Sequence, residues 1–275
     1  MKRFGIVTNG IKDPDRRVTE KIIDYLKENN AFWNEAASVK ELSLPVDCIL
    51  VLGGDGTMLQ AAKETAGKNI PLLGINLGSL GYLAEVEVQS LKEALDKLLK
   101  DEYETENEMM VYGTIFSENK VLQTSPALND ISITRYGTLQ IIRLNIYVNG
   151  KFLCQWKADG IILSTPTGST GYNLSAGGPL VVPGADLLLL TPICAHTLNA
   201  RSIVLRGEDE VTVEVAYGRE GAKLMVEANS DGSEKYMMKT GDRICIRKAE
   251  ETTTIIKLSK ASFLETLHRK MSDEK

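Results

Sequence analysis

No two cysteines stand at CxxC spacing: Cys48, Cys154, Cys194 and Cys245 are far apart and lie in or beside apolar runs. That pattern argues against a zinc site and reads as four reduced core thiols. A block of Lys and Arg is also missing, and 32 basic residues against 37 acidic ones leave a net charge of −5. Such a chain repels nucleic acid and phosphorylated ligands alike, so no nucleic-acid partner is expected. If a polyphosphate binds, backbone N–H groups, a few cations and a metal ion must overcome that repulsion at the site itself. The opening Met1-Lys2-Arg3-Phe4-Gly5-Ile6-Val7 has an apolar run far too short for a signal peptide or a membrane span. With no basic amphipathic stretch to suit a membrane surface, no membrane partner is expected and the compartment is the cytoplasm. The phosphate loop GxxxxGK followed by Ser or Thr is absent, as is the GxGxxG fingerprint. GxSxG fails too, because Gly168 adjoins Ser169.

What is present suits a folded protein. Over 275 residues the hydrophobic share is 43% and the charged share 25%, too apolar for a disordered chain. Short apolar runs alternate with amphipathic stretches over residues 1–100, the pattern of an α/β domain with a Rossmann-like parallel sheet. Strands are expected at Arg3 to Thr8, Cys48 to Leu52 and Pro71 to Asn76. Asp13 and Pro14 read as cap and first turn of a helix whose buried face is Val18, Ile22, Tyr25 and Leu26. A second helix runs from about Thr57 to Ala66, closed by Gly67, and a third starts at Ser90 with Glu93 completing a capping box.

Over residues 101–258 the period changes to two, in Gln140 to Val148, Lys151 to Trp156, Glu210 to Ala216, Lys223 to Asn229 and Arg243 to Arg247. This part reads as an all-β carboxy-terminal domain, with Asn149-Gly150 as the turn of a tight hairpin. Residues 259–275 form a helical tail in which Ser262 and Glu265 make a capping box. Phe263, Leu264, Leu267 and Met271 give that helix an apolar face that docks it on the protein. No repeat or long linker separates the two halves, which predicts a cleft between them.

The chemistry concentrates in a few stretches. The buried strand Val46 to Leu52 runs straight into Gly53-Gly54-Asp55-Gly56-Thr57, directly before helical Met58 to Ala62. At the carboxyl end of a parallel strand, glycines let N–H groups approach a phosphate, and the next helix points its positive end there. Asp55 does not belong in a phosphate cradle, where a carboxylate would repel the ligand. It could orient or deprotonate a hydroxyl, hold a metal, or merely cap the helix.

A second stretch, Asp159 to Tyr172, opens from a β run into Ser, Thr and Gly, and reads either as a binding loop or as polar surface. Asn129-Asp130, after a turn at Ser125-Pro126, could bond ribose hydroxyls from a strand end but is more often just a turn. His196 reads as structural because no second ligand stands at metal spacing, and His268 as a solvated last-turn residue. No metal-ligating set is assigned to the protein.

Five stretches in order resemble the bacterial NAD kinases: Gly53 to Thr57, Gly74 to Leu83, Asn129-Asp130, Asp159 to Tyr172, and Thr191 to Leu198. The glycine turn alone would also fit diacylglycerol and sphingosine kinases and phosphofructokinases. The family resemblance implies transfer of the γ-phosphoryl group of ATP to the 2′-hydroxyl of the adenosine ribose of NAD, giving NADP. It implies Asp55 as general base, with Gly53, Gly54, Gly56 and Thr57 along the ATP phosphates beside a divalent metal, magnesium. Asp55, Gly56, Asn129, Asp130, Lys157, Asp159, Thr170, Gly171, Tyr172 and Ser175 would form the NAD site, in a homodimer or homotetramer. Gly171, Lys157, Ala195 and Ser233 depart from residues usual in the family. Lys157 in place of arginine loses a flat bidentate fork, and Gly171 in place of alanine widens the pocket. A lipid kinase and a non-catalytic dinucleotide sensor are the alternatives.

Overall fold

Residues 1–275 were built as a computed structural model that describes all positions except 44, 79–80, 138–139, 197–198, 259–262 and 273–275, and the Met271 side chain. Ser79, Leu80, Thr197 and Leu198 of the motifs, and Ser262 of the tail, therefore lie outside the described residues. The chain divides into two compact units, residues 1–108 with 252–275, and residues 109–251.

The first unit is built around β3 (Cys48–Gly53), all six of whose residues are buried. A strand covered on both faces is apolar throughout, as this one is. It is preceded by β1 (Arg3–Thr8), α1 (Arg17–Glu28) and β2 (Phe32–Ala36), and followed by α2 (Asp55–Thr65), β4 (Leu72–Asn76), β5 (Val86–Glu87) and α3 (Leu91–Leu99). Parallel pairing joins β2 to β1, β1 to β3, β3 to β4 and β4 to β5. The core gathers Phe4, Ile6, Ile22, Leu26, Leu50, Leu52, Leu73, Ile75 and Leu95, all at most 1% exposed. Each such side chain contributes roughly 1.5–3 kcal/mol by leaving water.

Helix starts differ from the sequence reading. Helix α1 begins at Arg17 rather than Pro14, because Arg16 adopts a left-handed conformation (φ 56°) just ahead of it. Asp13 still serves the helix: its carboxylate accepts the N–H of Val18 at 3.3 Å and of Thr19 at 2.9 Å. These bonds hold the Asp13 pKa below its usual value despite the opposing effect of burial. The box at Ser90 does not form; its side chain caps nothing, and Glu93 pairs with Lys97 one turn on at 2.9 Å.

The chain leaves the first unit inside β6 (Glu104–Ser117). It then forms β7 (Lys120–Ala127), β8 (Asp130–Arg135), β9 (Ile142–Val148), β10 (Lys151–Ala158), β11 (Gly160–Ser164), a short α4 (Tyr172–Ser175) and β12 (Leu187–Ile193). There follow β13 (Ile203–Arg206), β14 (Val211–Val215), β15 (Met225–Ser230), β16 (Glu234–Lys239) and β17 (Arg243–Lys257), within which the chain returns to the first unit, and last α5 (Phe263–Ser272). Residues 101–108 and 252–258, placed with the β half from sequence, are grouped with the first unit. In the second unit β10, β9, β14 and the start of β17 form one antiparallel layer, and β13-β12-β11-β8-β15-β16 form another. Alternate residues of both meet in one core, among them Leu144 and Ile146, Val211 and Val213, Ile131 and Ile133, Leu188 and Leu190.

Asn149 and Gly150 both have positive φ, 50° and 73°, and Val148 pairs with Lys151, as the hairpin requires. Ser125 and Pro126 are not a turn; both lie within β7. Nor are all four cysteines core thiols: all are free, but only Cys48 is buried and Cys194 is exposed. On α5 Leu264 is 63% exposed, so it leaves the predicted apolar face, while the Phe263 ring lies 6.1 Å from that of Tyr82.

Candidate functional site

In the first unit the site grows from the end of β3. Gly54 is extended and holds the N-cap position of α2, and Asp55 is the first residue of that helix. Asp55 is therefore not the helix cap. Its half-buried carboxylate reaches the segment after β4 instead, where Oδ2 accepts the N–H of Tyr82 at 2.9 Å. Oδ1 accepts those of Leu83 at 3.1 Å and Ala84 at 3.4 Å. Only glycine tolerates this approach at position 81, since a Cβ there would stand 2.1 Å from Asp55 Oδ1.

The turn is tied in from both sides. Gly53 C=O accepts the N–H of Leu77, Leu52 C=O that of Asn9, and Asn76 Oδ1 that of Gly78. Lys12 is the residue that sequence reasoning missed here. Its ammonium lies so close that a Cβ on Gly54 would stand 2.7 Å from Nζ, and one on Gly78 3.3 Å. A lysine in a loop carries no sequence signal of this, because the loop after β1 meets the glycine turn only through the sheet. Gly56 is exposed with open space beside it. The backbone N–H groups at the start of α2, a helix N-terminus and one ammonium make a place for an anion, next to a carboxylate that can take a proton.

In the second unit Asn129 and Asp130 stand where β7 passes into β8. Thr165 N–H and Ser164 Oγ–H both donate to Asn129 C=O, at 2.9 and 3.2 Å, and Thr165 Oγ–H donates to Leu128 C=O at 2.5 Å. The Ser/Thr/Gly stretch is no polar surface loop: Ser164, Thr165 and Ser169 are fully buried. Asp231, to which no role was given from sequence, sits in the turn after β15 with φ 49°. Its carboxylate accepts the N–H groups of Leu128 at 2.8 Å, Asn129 at 2.8 Å and Asp130 at 3.1 Å.

Burial, and then the charge of Asp231, push the Asp130 carboxyl up to about 7. Asn129 Oδ1 is buried and finds no partner among the described residues. The place a Cβ would occupy on Gly171 is 3.3 Å from Asn129 Nδ2, so the alanine usual there would fit closely rather than clash. The Tyr172 hydroxyl has a raised pKa, through burial first and then the charge of Asp130. Asp159 pairs with Arg135 at 3.2 Å, and Thr170 donates to Thr167 C=O at 3.2 Å. Lys157 and Ser175 are exposed. His196 is exposed as well and gives its backbone N–H to Lys157 C=O at 2.8 Å.

Comparison with known proteins bears on both halves. Residues 11–103 match the family model described as the ATP-NAD kinase N-terminal domain, and residues 128–258 the ATP-NAD kinase C-terminal domain. An NAD kinase of Agathobacter rectalis is 46% identical over 285 residues, covering 99% of both chains. One of Lachnospira eligens is 41% identical over 98% of this chain and all of its own. Among solved structures, yeast NADH kinase complexed with NADH aligns with a TM-score of 0.87 at 21% identity, over all of this chain and 89% of its own. An NAD kinase from Archaeoglobus fulgidus in complex with ATP aligns at 0.78 and 23%, over 98% of this chain and 99% of its own.

Proposed function

Because the chain belongs to the ATP-NAD kinase family and is an NAD kinase, we propose that Asp55 is the base for phosphoryl transfer from ATP to the 2′-hydroxyl of the adenosine ribose of NAD. The observation that carries this reading is the grip of three backbone N–H groups on a carboxylate at the head of a glycine turn. So held, the carboxylate keeps one direction and still has a lone pair on Oδ2 for a proton. As the 2′-oxygen attacks the terminal phosphorus, its O–H bond breaks and the proton passes to Asp55. The bond from phosphorus to the bridging oxygen breaks in step, and ADP departs with that electron pair, leaving NADP.

Gly53, Gly54, Gly56 and Thr57 take the ATP phosphates, with the Lys12 ammonium opposing their charge. Among the described residues no three of His, Cys, Asp and Glu converge. A divalent ion such as magnesium would come to this turn on the phosphates of the nucleotide. When bound, that ion neutralises charge on the β- and γ-phosphates.

Asn129 and Asp130 take the adenosine part of NAD. A buried amide oxygen with no partner among the described residues, such as Asn129 Oδ1, is an acceptor that a ligand donor can satisfy. Asp159, Thr170, Gly171, Tyr172, Ser175 and Lys157 line the remainder. No helix among the described residues is long and apolar enough to cross a membrane, and we infer a homodimer or homotetramer working in the cytoplasm. Purified protein given ATP, magnesium and NAD should form NADP, read with an NADP-specific dehydrogenase. Absence of NADP with every phosphoryl donor tried would refute the activity.

A further inference from the structure

Helix α5, the last element of the chain, returns to the segment that holds Asp55. Its Phe263 ring lies 6.1 Å from the Tyr82 ring, and its Lys270 Nζ stands 3.7 Å above the Tyr82 centroid. Tyr82 is one of the three residues whose N–H groups grip the Asp55 carboxylate. Thr266 and Arg269 of the same helix wall a cavity of about 400 Å³ with Gly81, Tyr82 and Ala84. The tail thus packs on the clamp itself.

Lys270 is an unusual cation for a surface helix. Its Nζ lies over an aromatic face, 3.7 Å from the Tyr82 centroid. Burial lowers its pKa, and the charge of Asp55 acts in the opposite direction. An ammonium on an aromatic face is held by the ring's negative quadrupole, which fixes its position without neutralising it. Its charge remains available to the surroundings of Asp55.

We propose that Lys270 is a positioning residue for phosphoryl transfer: seated on Tyr82, its ammonium braces the Asp55 clamp and offsets the negative charge that builds when a terminal phosphate closes on that carboxylate. The proposal rests on Asp55 being the base. It gives the carboxy-terminal helix a part in the reaction, where packing alone would make it only a structural cover. The role is electrostatic, so it follows the charge at position 270 and the ring beneath it.

Lys270→Met keeps the apolar stem over Tyr82 and removes the charge, whereas Lys270→Arg restores a cation that stacks on aromatic rings. Steady-state NADP formation is measured for both, with melting temperature beside it. The expected result is kcat down about tenfold in Lys270→Met with KM for NAD within about twofold, and recovery to within about threefold in Lys270→Arg. Tyr82→Leu, which keeps the backbone N–H and removes the platform, should reproduce the loss and add little to Lys270→Met in the double variant. Wild-type kcat in Lys270→Met overturns the proposal, and so does an Arg variant as slow as the Met variant. An active wild type with an unaffected Lys270→Met sinks this inference alone. A wild type that makes no NADP removes the reading beneath it.

Discussion

Asp55 in the first unit and Asp130 in the second are both aspartates at strand ends, yet their surroundings are opposite. Three N–H groups from Tyr82, Leu83 and Ala84 converge on the Asp55 carboxylate. Near Asp130 the equivalent donors, the N–H groups of Leu128, Asn129 and Asp130 itself, are taken by Asp231. Asp130 is left buried beside a second acid, and its carboxyl is pushed up to about 7. The residue type does not decide what an aspartate does. The backbone donors that reach it decide: one of these carboxylates is held as an oriented acceptor, and the other can carry a proton near neutral pH and donate it to a ligand oxygen.

The comparison can be broken first at Asp55. Asp55→Asn keeps the size of the side chain but removes a proton acceptor, and turnover should fall by at least about 10²-fold while circular dichroism and the melting curve stay close to wild type. Near-full activity in that variant would remove Asp55 from the role of base. Asp231→Ala takes the acceptor away from three N–H groups, and should lower stability by about 2–3 kcal/mol in urea unfolding. An unchanged midpoint would show that the turn after β15 does not hold the 128–130 segment.

Gly81→Ala tests the fit at the clamp. A methyl 2.1 Å from Asp55 Oδ1 has to displace the carboxylate, and kcat should fall about tenfold with NAD affinity little changed, because small misplacements of a reacting group are costly. The last test concerns pH. Since the folded pKa of Asp130 lies above the usual carboxylate value near 4, the folded chain keeps a proton that the unfolded chain has lost. This contribution to stability is complete below about pH 4 and is lost as pH rises to about 7, at no more than about 1.4 kcal/mol per pH unit. Stability curves of wild type and Asp130→Asn should converge on different slopes across that window, and identical slopes would remove Asp130 as their source.

Much of the fold was legible in the sequence. The apolar run Cys48 to Leu52 ending in glycines announced the central strand, and Asn149-Gly150 announced its hairpin, because both signals lie within a few residues and follow from side-chain burial and from φ. Strands β2, β6, β7, β13 and β16 did not show themselves. Phe32–Ala36 and the start of β6 are partly or wholly exposed, so their sequences carry little alternation to read. The glycine turn and the hydroxyl-rich stretch were found as candidate sites for the same local reason. Lys12, Asp231 and Lys270 were not, and Tyr82 stood in the Gly74 to Leu83 stretch without a role, because nothing near them in the chain says what they meet.

The sequence by itself determined the strand–turn–helix that carries Asp55, the change from helical to twofold periodicity near residue 101, and the family of the chain. Only the tertiary structure decided that Asp55 grips a segment 27 residues on, that Asp231 reaches back 101 to 103 residues, and that the last helix lays an ammonium on Tyr82. The physical reason is that periodicity and turn preference belong to side chains in short windows. The partners that set these carboxylates are backbone N–H groups, which every residue but proline carries alike, and only the folded path of the chain selects which of them arrive.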